Sequence, residues 1–115
     1  MYKKLIEITE QGAHENTHAL LCPECGESVL HQGDTHVFWR ESEDSTEGLH
    51  TIAQGHRTVV NSDLKDNPSI RRDGVYIEME CEQCGPVRYK LAILQHKGQT
   101  FITWFDNRQA HGRKL

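Results

Sequence analysis

Apolar and polar residues alternate most regularly in the C-terminal third of the chain. Residues 75–80 and 87–93 place apolar side chains at every second position, and a further strand-like run covers 100–105. Between the last two runs, HKGQ at 96–99 is typical of a tight turn, because Gly98 can adopt a positive φ. The pattern predicts an antiparallel β-meander of three strands.

Charged residues occupy the polar face of the first two strands of this meander. Glu78 and Glu80 precede the CEQCG segment, and Arg88 and Lys90 follow it. Opposite charges on paired strands stabilise each other across the ladder. We therefore predict cross-strand pairing of these four residues, with the cysteine segment as the turn between the strands.

The middle of the chain is more polar. Two strand-like runs at 28–31 and 35–40 are separated by HQGD, which is a turn signal. Residues 41–74 begin with ESEDSTE, which has four acids and no base, and contain TIAQGHRTVV as their only strand-like piece. We interpret 41–74 as a long, loop-rich insertion and 107–115 as a flexible polar tail of a single domain, 1–115.

Composition indicates a thin core for a chain of this length. Apolar residues make up 36% of the 115 residues, and the mean hydropathy is -0.70. Small domains of this kind usually need a disulfide or a metal as a staple. No apolar stretch approaches the roughly 20 residues that span a bilayer, and MYKKLIEITEQ lacks a signal-peptide segment. We expect a cytoplasmic protein without a membrane segment, where paired cysteines are more often metal ligands than disulfides.

All four cysteines lie in two C-x-x-C pairs, each followed directly by glycine. Two residues between thiolates allow both sulfurs to approach one ion, and the glycine lets the chain turn away. Two such knuckles provide four thiolates in a tetrahedron, a closed site without an open position for substrate. The sequence therefore predicts one structural Zn²⁺ ion, bound by Cys22, Cys25, Cys81 and Cys84.

Four thiolates also suit a single iron, as in rubredoxin-like electron carriers. The CPECG knuckle fits this alternative, but CEQCG lacks the equivalent proline, and about 55 residues between the pairs are many for so compact a fold. Disulfides or a redox-active pair are further alternatives, although no βαβ pattern surrounds either pair. His31 is a candidate fifth ligand, but four cysteines already fill the shell, and we expect it to be a strand residue near the site.

Two short basic segments are candidate contacts for a partner or an anion. Arg71 and Arg72 form the only tight pair of arginines, although Asp73 and a glycine beside them are also typical of a solvated turn. His96 and Lys97 lie at the predicted hairpin tip, where a polar exposed turn is the simpler interpretation. A net charge of -4 does not favour nonspecific DNA binding.

Several motifs together resemble a group of small hypothetical zinc-ribbon proteins from bacterial and phage genomes. They are LLCPECGESVLH, the ED within ESEDSTEG, NPSIRRDG, CEQCG and LAILQHKGQTFITWF, and they cover most of residues 14–105. The resemblance implies a β-rich zinc ribbon in a cytoplasmic protein. It implies no activity, and a host-interaction role follows by association only.

The predicted fold class is accordingly mainly β: a small zinc-ribbon domain with an antiparallel β-meander and a long loop insertion. No nucleophile-elbow or Gly-rich phosphate motif is present, so we expect a non-enzymatic binding module. Protein is the favoured partner, contacted by the acidic insertion and the hairpin tip, and exposed strand edges are compatible with a homodimer. The alternatives are a rubredoxin-like carrier and a nucleic-acid-binding zinc ribbon, whose phosphate contacts would be Arg71, Arg72, Lys97, Arg108, Arg113 and Lys114.

Overall fold

Strands make up most of the structure, a computed structural model that describes residues 6–8, 18–86 and 88–106. The strands are β1 (Ile6–Ile8), β2 (His18–Leu20), β3 (Leu30–Trp39), β4 (Glu47–Gln54), β5 (Arg57–Asp63), β6 (Gly74–Cys81), β7 (Arg88–His96) and β8 (Gln99–Asp106). No helix occurs among the described residues, which confirms the prediction of a mainly β fold.

Six of these strands form one antiparallel sheet in the described chain, in the order β5-β4-β3-β6-β7-β8, and β1 pairs with β2 separately. The C-terminal meander is confirmed. Strands β6 and β7 are in the predicted register, with Glu78 opposite Lys90 and Glu80 opposite Arg88. Strands β7 and β8 are joined by a two-residue turn in which Lys97 and Gly98 have φ values of 49° and 79°, as a type I′ hairpin requires.

The prediction of a loop-rich insertion is wrong for residues 47–54 and 57–63, which form β4 and β5. These strands lie at one edge of the sheet, and most side chains of β5 are exposed. An edge strand that buries little apolar surface has no strong alternation of apolar and polar residues, so it does not differ from a polar loop in sequence. Loops remain at 40–46 and 64–73.

The prediction of a turn at HQGD is also wrong, because these residues lie inside β3. The register between β3 and β6 shifts there: Gln32 is opposite Met79 and Thr35 is opposite Ile77, so two residues of β3 stand opposite one of β6. This is a β-bulge, in which glycine is common. Because glycine is common in turns as well as in bulges, the composition of HQGD does not distinguish between them.

The two faces of the sheet carry separate apolar clusters. On the face that also bears Cys81, the buried cluster comprises Cys22, Met79, Cys81, Tyr89, Leu91 and Trp104. On the other face, the cluster comprises Phe38, Leu64, Tyr76 and Ala92. Successive side chains of β6 and β7 point to opposite faces of the sheet, and each cluster contains those of one face. The apolar core is therefore divided between the two faces and is thin on each.

A network of hydrogen bonds organises the loop before β6. The Ser69 side chain is buried, donates to the Gln95 carbonyl oxygen at 2.8 Å and accepts from the Arg72 N–H at 2.9 Å. The Asn67 side chain accepts from the Ser69 N–H and donates to the Arg72 carbonyl oxygen. A Cβ atom at Gly74 would lie 2.5 Å from Asn67 Oδ1. The NPSIRRDG segment is therefore a tightly constrained loop, and its Asn, Ser and Gly each have a structural reason.

The predicted flexible tail, 107–115, lies outside the described residues, and so do Arg108, Arg113 and Lys114. Within the described part of the chain, no helix has the length and apolar character that crossing a membrane requires.

Candidate metal centre and neighbouring surfaces

The two cysteine knuckles meet at one end of the sheet. Cys22 and Cys25 lie in the turn that follows β2, whereas Cys81 ends β6 and Cys84 lies in the connection to β7. Both knuckles turn at their glycines, which have φ values of 79° at Gly26 and 81° at Gly85. Because these angles favour glycine, the residue after each C-x-x-C pair has the conformational role that the sequence predicts.

The four sulfur atoms are arranged as a single ligand set. All lie within 4.8 Å of one another; Cys22 Sγ is 3.8 Å from Cys84 Sγ, and Cys25 Sγ is 3.6 Å from Cys81 Sγ. A tetrahedral zinc with Zn–S bonds of about 2.3 Å places its sulfurs about 3.8 Å apart, whereas a disulfide requires about 2.05 Å. The spacing therefore fits four thiolates around one ion and does not fit disulfides.

The environment of the sulfurs is unequal. Cys22 and Cys81 are buried, and Cys25 is exposed. Burial and the neighbouring thiols raise the pKa of Cys22 and of Cys84. Burial alone would raise the pKa of Cys81 as well. The backbone N–H groups of Cys84 and Gln83 donate to this sulfur and stabilise its thiolate, so the pKa of Cys81 is lowered overall. Without a cation, the crowded thiols cannot all ionise, and a bound metal would hold all four as thiolates.

Contacts around the knuckles involve residues other than the four cysteines. His31 Nε2 lies 2.6 Å from Glu82 Oε1 in the second knuckle, and it does not belong to the sulfur cluster. This agrees with the expectation that His31 is a strand residue near the site. Tyr89 donates its hydroxyl to Glu24 Oε2 at 3.1 Å, so the first knuckle is attached to the meander by a side chain as well.

The four basic candidates come together although they are far apart in sequence. Arg71, Arg72, His96 and Lys97 all line one shallow pocket of about 370 Å³, together with Glu43. Arg72 forms an ion pair of 2.5 Å with Glu43, which comes from the acidic segment. The sequence gives no sign of this proximity, because it depends on the loop before β6 lying beside the β7–β8 turn.

A row of side chains crosses one face of the sheet through all six strands of the described sheet. Each member is directly opposite the next in the strand register. We call it the apolar row; five of its six members are aliphatic, namely Val60, Val37, Val75, Ile93 and Ile102, and Thr51 lies between Val60 and Val37. Val60 is 60% exposed, Ile102 is 50% exposed, and Trp39 and Leu49 beside the row are also about half exposed. Contiguous exposed apolar side chains of this kind are a feature of binding surfaces.

The pattern of apolar and polar residues in the sequence does not reveal this surface. Alternation shows that Val37 and Trp39 share one face of a strand, but it does not show which face is covered. The sheet register supplies that information, since it aligns residues from β4 and β5 that had been interpreted as loop.

Comparisons of the chain with protein-family models, with curated proteins and with solved structures give no match. The resemblance to zinc-ribbon proteins of bacteria and phages therefore stays a prediction, and the geometry of the described residues carries the functional argument.

Proposed function

We propose that the protein is a non-enzymatic zinc-ribbon binding module in which one zinc ion stabilises the fold. The observation that supports it is the convergence of four cysteine sulfurs from two distant knuckles at tetrahedral spacing. Four thiolates fill the coordination shell of zinc and leave no position for a substrate. The metal therefore has a structural role, joining the segment before β3 to the end of β6.

Metal analysis and chelation test the zinc proposal. We expect one zinc per purified chain, and loss of the cooperative unfolding transition after chelation, because the binding energy of structural zinc is of the order of 10–16 kcal/mol. Cys81→Ser should have the same effect, whereas Gln83→Ala, a change at an exposed side chain of the same knuckle, should melt like the wild type. One iron per chain and a red protein would instead support the rubredoxin-like alternative. Native melting of Cys81→Ser would contradict a structural metal.

The binding function is proposed to reside on the apolar row and to take a partner protein with an apolar, uncharged surface. The row contains no charged residue, and the adjacent Trp39 and Leu49 extend it on the same face. Phosphate groups of nucleic acids are recognised by cations, so this face has the wrong chemistry for a nucleic acid. Its large half-exposed side chains match the apolar centre of a protein interface.

A matched pair of variants tests this surface. Val37→Glu places a charge in the centre of the row, and Ile70→Glu makes the same change at a side chain that is 76% exposed in a loop. A protein captured from the native host and then purified should bind wild type and Ile70→Glu equally, and Val37→Glu at least about tenfold more weakly. Equal binding of all three forms would refute the proposal. Self-association lost only in Val37→Glu would replace the partner with a second copy.

Nucleic-acid binding is the second candidate, because Arg71, Arg72, His96 and Lys97 share one pocket. The Glu43 carboxylate neutralises Arg72 there, which weakens this alternative. We expect no gel shift with single- or double-stranded DNA or RNA at low salt. A complex whose affinity falls steeply with salt, and which is lost in Arg71→Ala but kept in Val37→Glu, would favour it.

A further inference from the structure

A second group of metal-ligand side chains lies on the face of the sheet opposite the apolar row. Ligand atoms of Asp34, His36 and Glu78 all lie within 4.8 Å of one another, and all three residues are half-buried. Atoms bound to one ion at about 2.0–2.2 Å lie up to about 4.4 Å apart. Small rotations of the carboxylate side chains are therefore sufficient to bring all three onto a single ion.

The β-bulge in β3 creates this group. Gly33 and Asp34 occupy the space opposite Glu78, and His36 follows on the same face as Asp34, opposite Tyr76. Bulges of this kind often lie beside functional sites, because they redirect a side chain that regular pairing would place elsewhere.

A chain of hydrogen bonds fixes the tautomer of His36. The Asp63 N–H donates to Asn61 Oδ1 at 2.9 Å, so this atom is an acceptor, and His50 Nδ1, 3.1 Å away, must donate to it. In neutral His50, Nε2 is then the acceptor, and His36 Nδ1 donates to it at 2.8 Å. Nε2 of His36 therefore carries the lone pair.

This arrangement is the one that metal-binding histidines usually have, with one ring nitrogen on the metal and the other donating to a fixed acceptor. Burial, His50 and Lys90 lower the pKa of His36 to about 4, which keeps the ring neutral at pH 7. His36 also stacks on the Tyr76 ring at 4.1 Å and on His50 at 5.1 Å, so its orientation is fixed on both sides.

The charges around the group favour a cation. Asp34 and Glu78 contribute two carboxylates, and Asp66 is near enough to act on the His36 ring. Lys90 is the cation that faces the same ring, and its Nζ atom lies over the Tyr76 ring at 4.5 Å. The two carboxylates of Asp34 and Glu78 supply the negative charge that a divalent ion requires at the ligand atoms, while at the His36 ring Lys90 acts more strongly than Asp34 or Asp66 and favours the neutral imidazole.

We propose that Asp34, His36 and Glu78 bind one divalent transition-metal ion, through Nε2 of His36 and one carboxylate oxygen from each acid. One imidazole and two carboxylates suit ions such as Mn²⁺, Fe²⁺ or Zn²⁺ better than Cu⁺ or a sulfur-preferring ion. Three protein ligands leave coordination positions for water or another small ligand. This site would therefore be open, in contrast with the closed site of four cysteines.

Mn²⁺ titration of the zinc-loaded full chain tests the proposal. Free Mn²⁺ is followed by electron paramagnetic resonance, and zinc content is measured to verify that the cysteine site stays occupied. We expect one Mn²⁺ to bind per chain and to broaden the ring signals of His36 in NMR spectra, but not those of His56, which lies in the exposed β4–β5 turn. The absence of stoichiometric binding, or broadening centred elsewhere, would overturn the assignment.

Variants separate ligation from a general charge effect. Asp34→Asn should weaken Mn²⁺ binding by at least about tenfold, and Glu41→Gln, which removes one exposed carboxylate from the acidic segment, should leave it unchanged. His50→Phe keeps a ring against Phe38 but removes the acceptor for His36 Nδ1, and about a tenfold loss is expected. Equal affinity in Asp34→Asn and Glu41→Gln would refute the site. Because the NMR measurement uses the wild type, it stands even if a variant fails to fold.

Discussion

Ser69→Ala tests whether the loop before β6 is as constrained as its hydrogen bonds indicate. Ser69 is only 1% exposed. Removing its hydroxyl leaves two backbone groups without their hydrogen-bond partner, namely the Arg72 N–H and the Gln95 carbonyl oxygen. A buried polar group that loses its partner costs about 1–3 kcal/mol. Two such groups would cost about 2–6 kcal/mol together, and because both contacts are only partly buried, we expect the free energy of unfolding to fall by about 2–4 kcal/mol.

Urea unfolding of the purified protein measures this loss, with a slope of about 1–3 kcal/mol/M for a small protein. With a slope of about 2 kcal/mol/M, in the middle of that range, the midpoint should fall by roughly 1–2 M, and the Arg72 amide should exchange its hydrogen faster. Ser62→Ala, at an exposed position of β5, is the matched control and should change stability by less than about 0.5 kcal/mol. If Ser69→Ala and Ser62→Ala unfold at the same midpoint, the loop is not held by the serine and our explanation of NPSIRRDG is wrong.

Two further predictions concern the space around the Gly74 backbone and the solvent exposure of the two tryptophan side chains. Gly74→Ala should lower the free energy of unfolding by about 1–3 kcal/mol in the same urea assay. The reason is that the new Cβ would lie 2.5 Å from Asn67 Oδ1 and 2.7 Å from Pro68 Cγ. An unchanged free energy of unfolding would show that the loop can move away. Trp39 is half exposed and Trp104 is 7% exposed, so acrylamide should quench mainly Trp39, and Trp39→Phe should leave a fluorescence that resists quenching. Strong residual quenching would contradict the buried position of Trp104.

The sequence was sufficient for those parts of the fold that local chemistry determines. The C-x-x-C-G repeats predict the sulfur cluster because a tetrahedral ion needs that spacing, and Gly98 marks the β7–β8 turn because its φ is positive. The strand register from Glu78 to Lys90 follows from alternation and charge.

Features that depend on long-range register could not be predicted. HQGD has the composition of a turn, and only pairing with β6 makes it a bulge that places Asp34 near His36 and Glu78. Edge strands such as β5 bury too little apolar surface to show an alternation of apolar and polar residues. The pocket shared by Arg71 and Lys97 likewise requires two separate segments to pack side by side.

The pairing of β3 with β6 has a consequence for how the protein folds. In the described six-stranded sheet, these are the neighbouring strands that are not consecutive in sequence, so this sheet consists of two groups of sequential hairpins that meet along one seam. The four cysteines close one end of that seam, the Asp34–His36–Glu78 group bridges it farther along, and the hydrogen bond from the Arg40 N–H to Asp73 lies beyond. Closing a loop of about 60 residues costs about 4 kcal/mol of chain entropy. The docking of the two groups of hairpins should therefore be the slow step of folding, and the proposed zinc site would make its rate depend on the supply of metal.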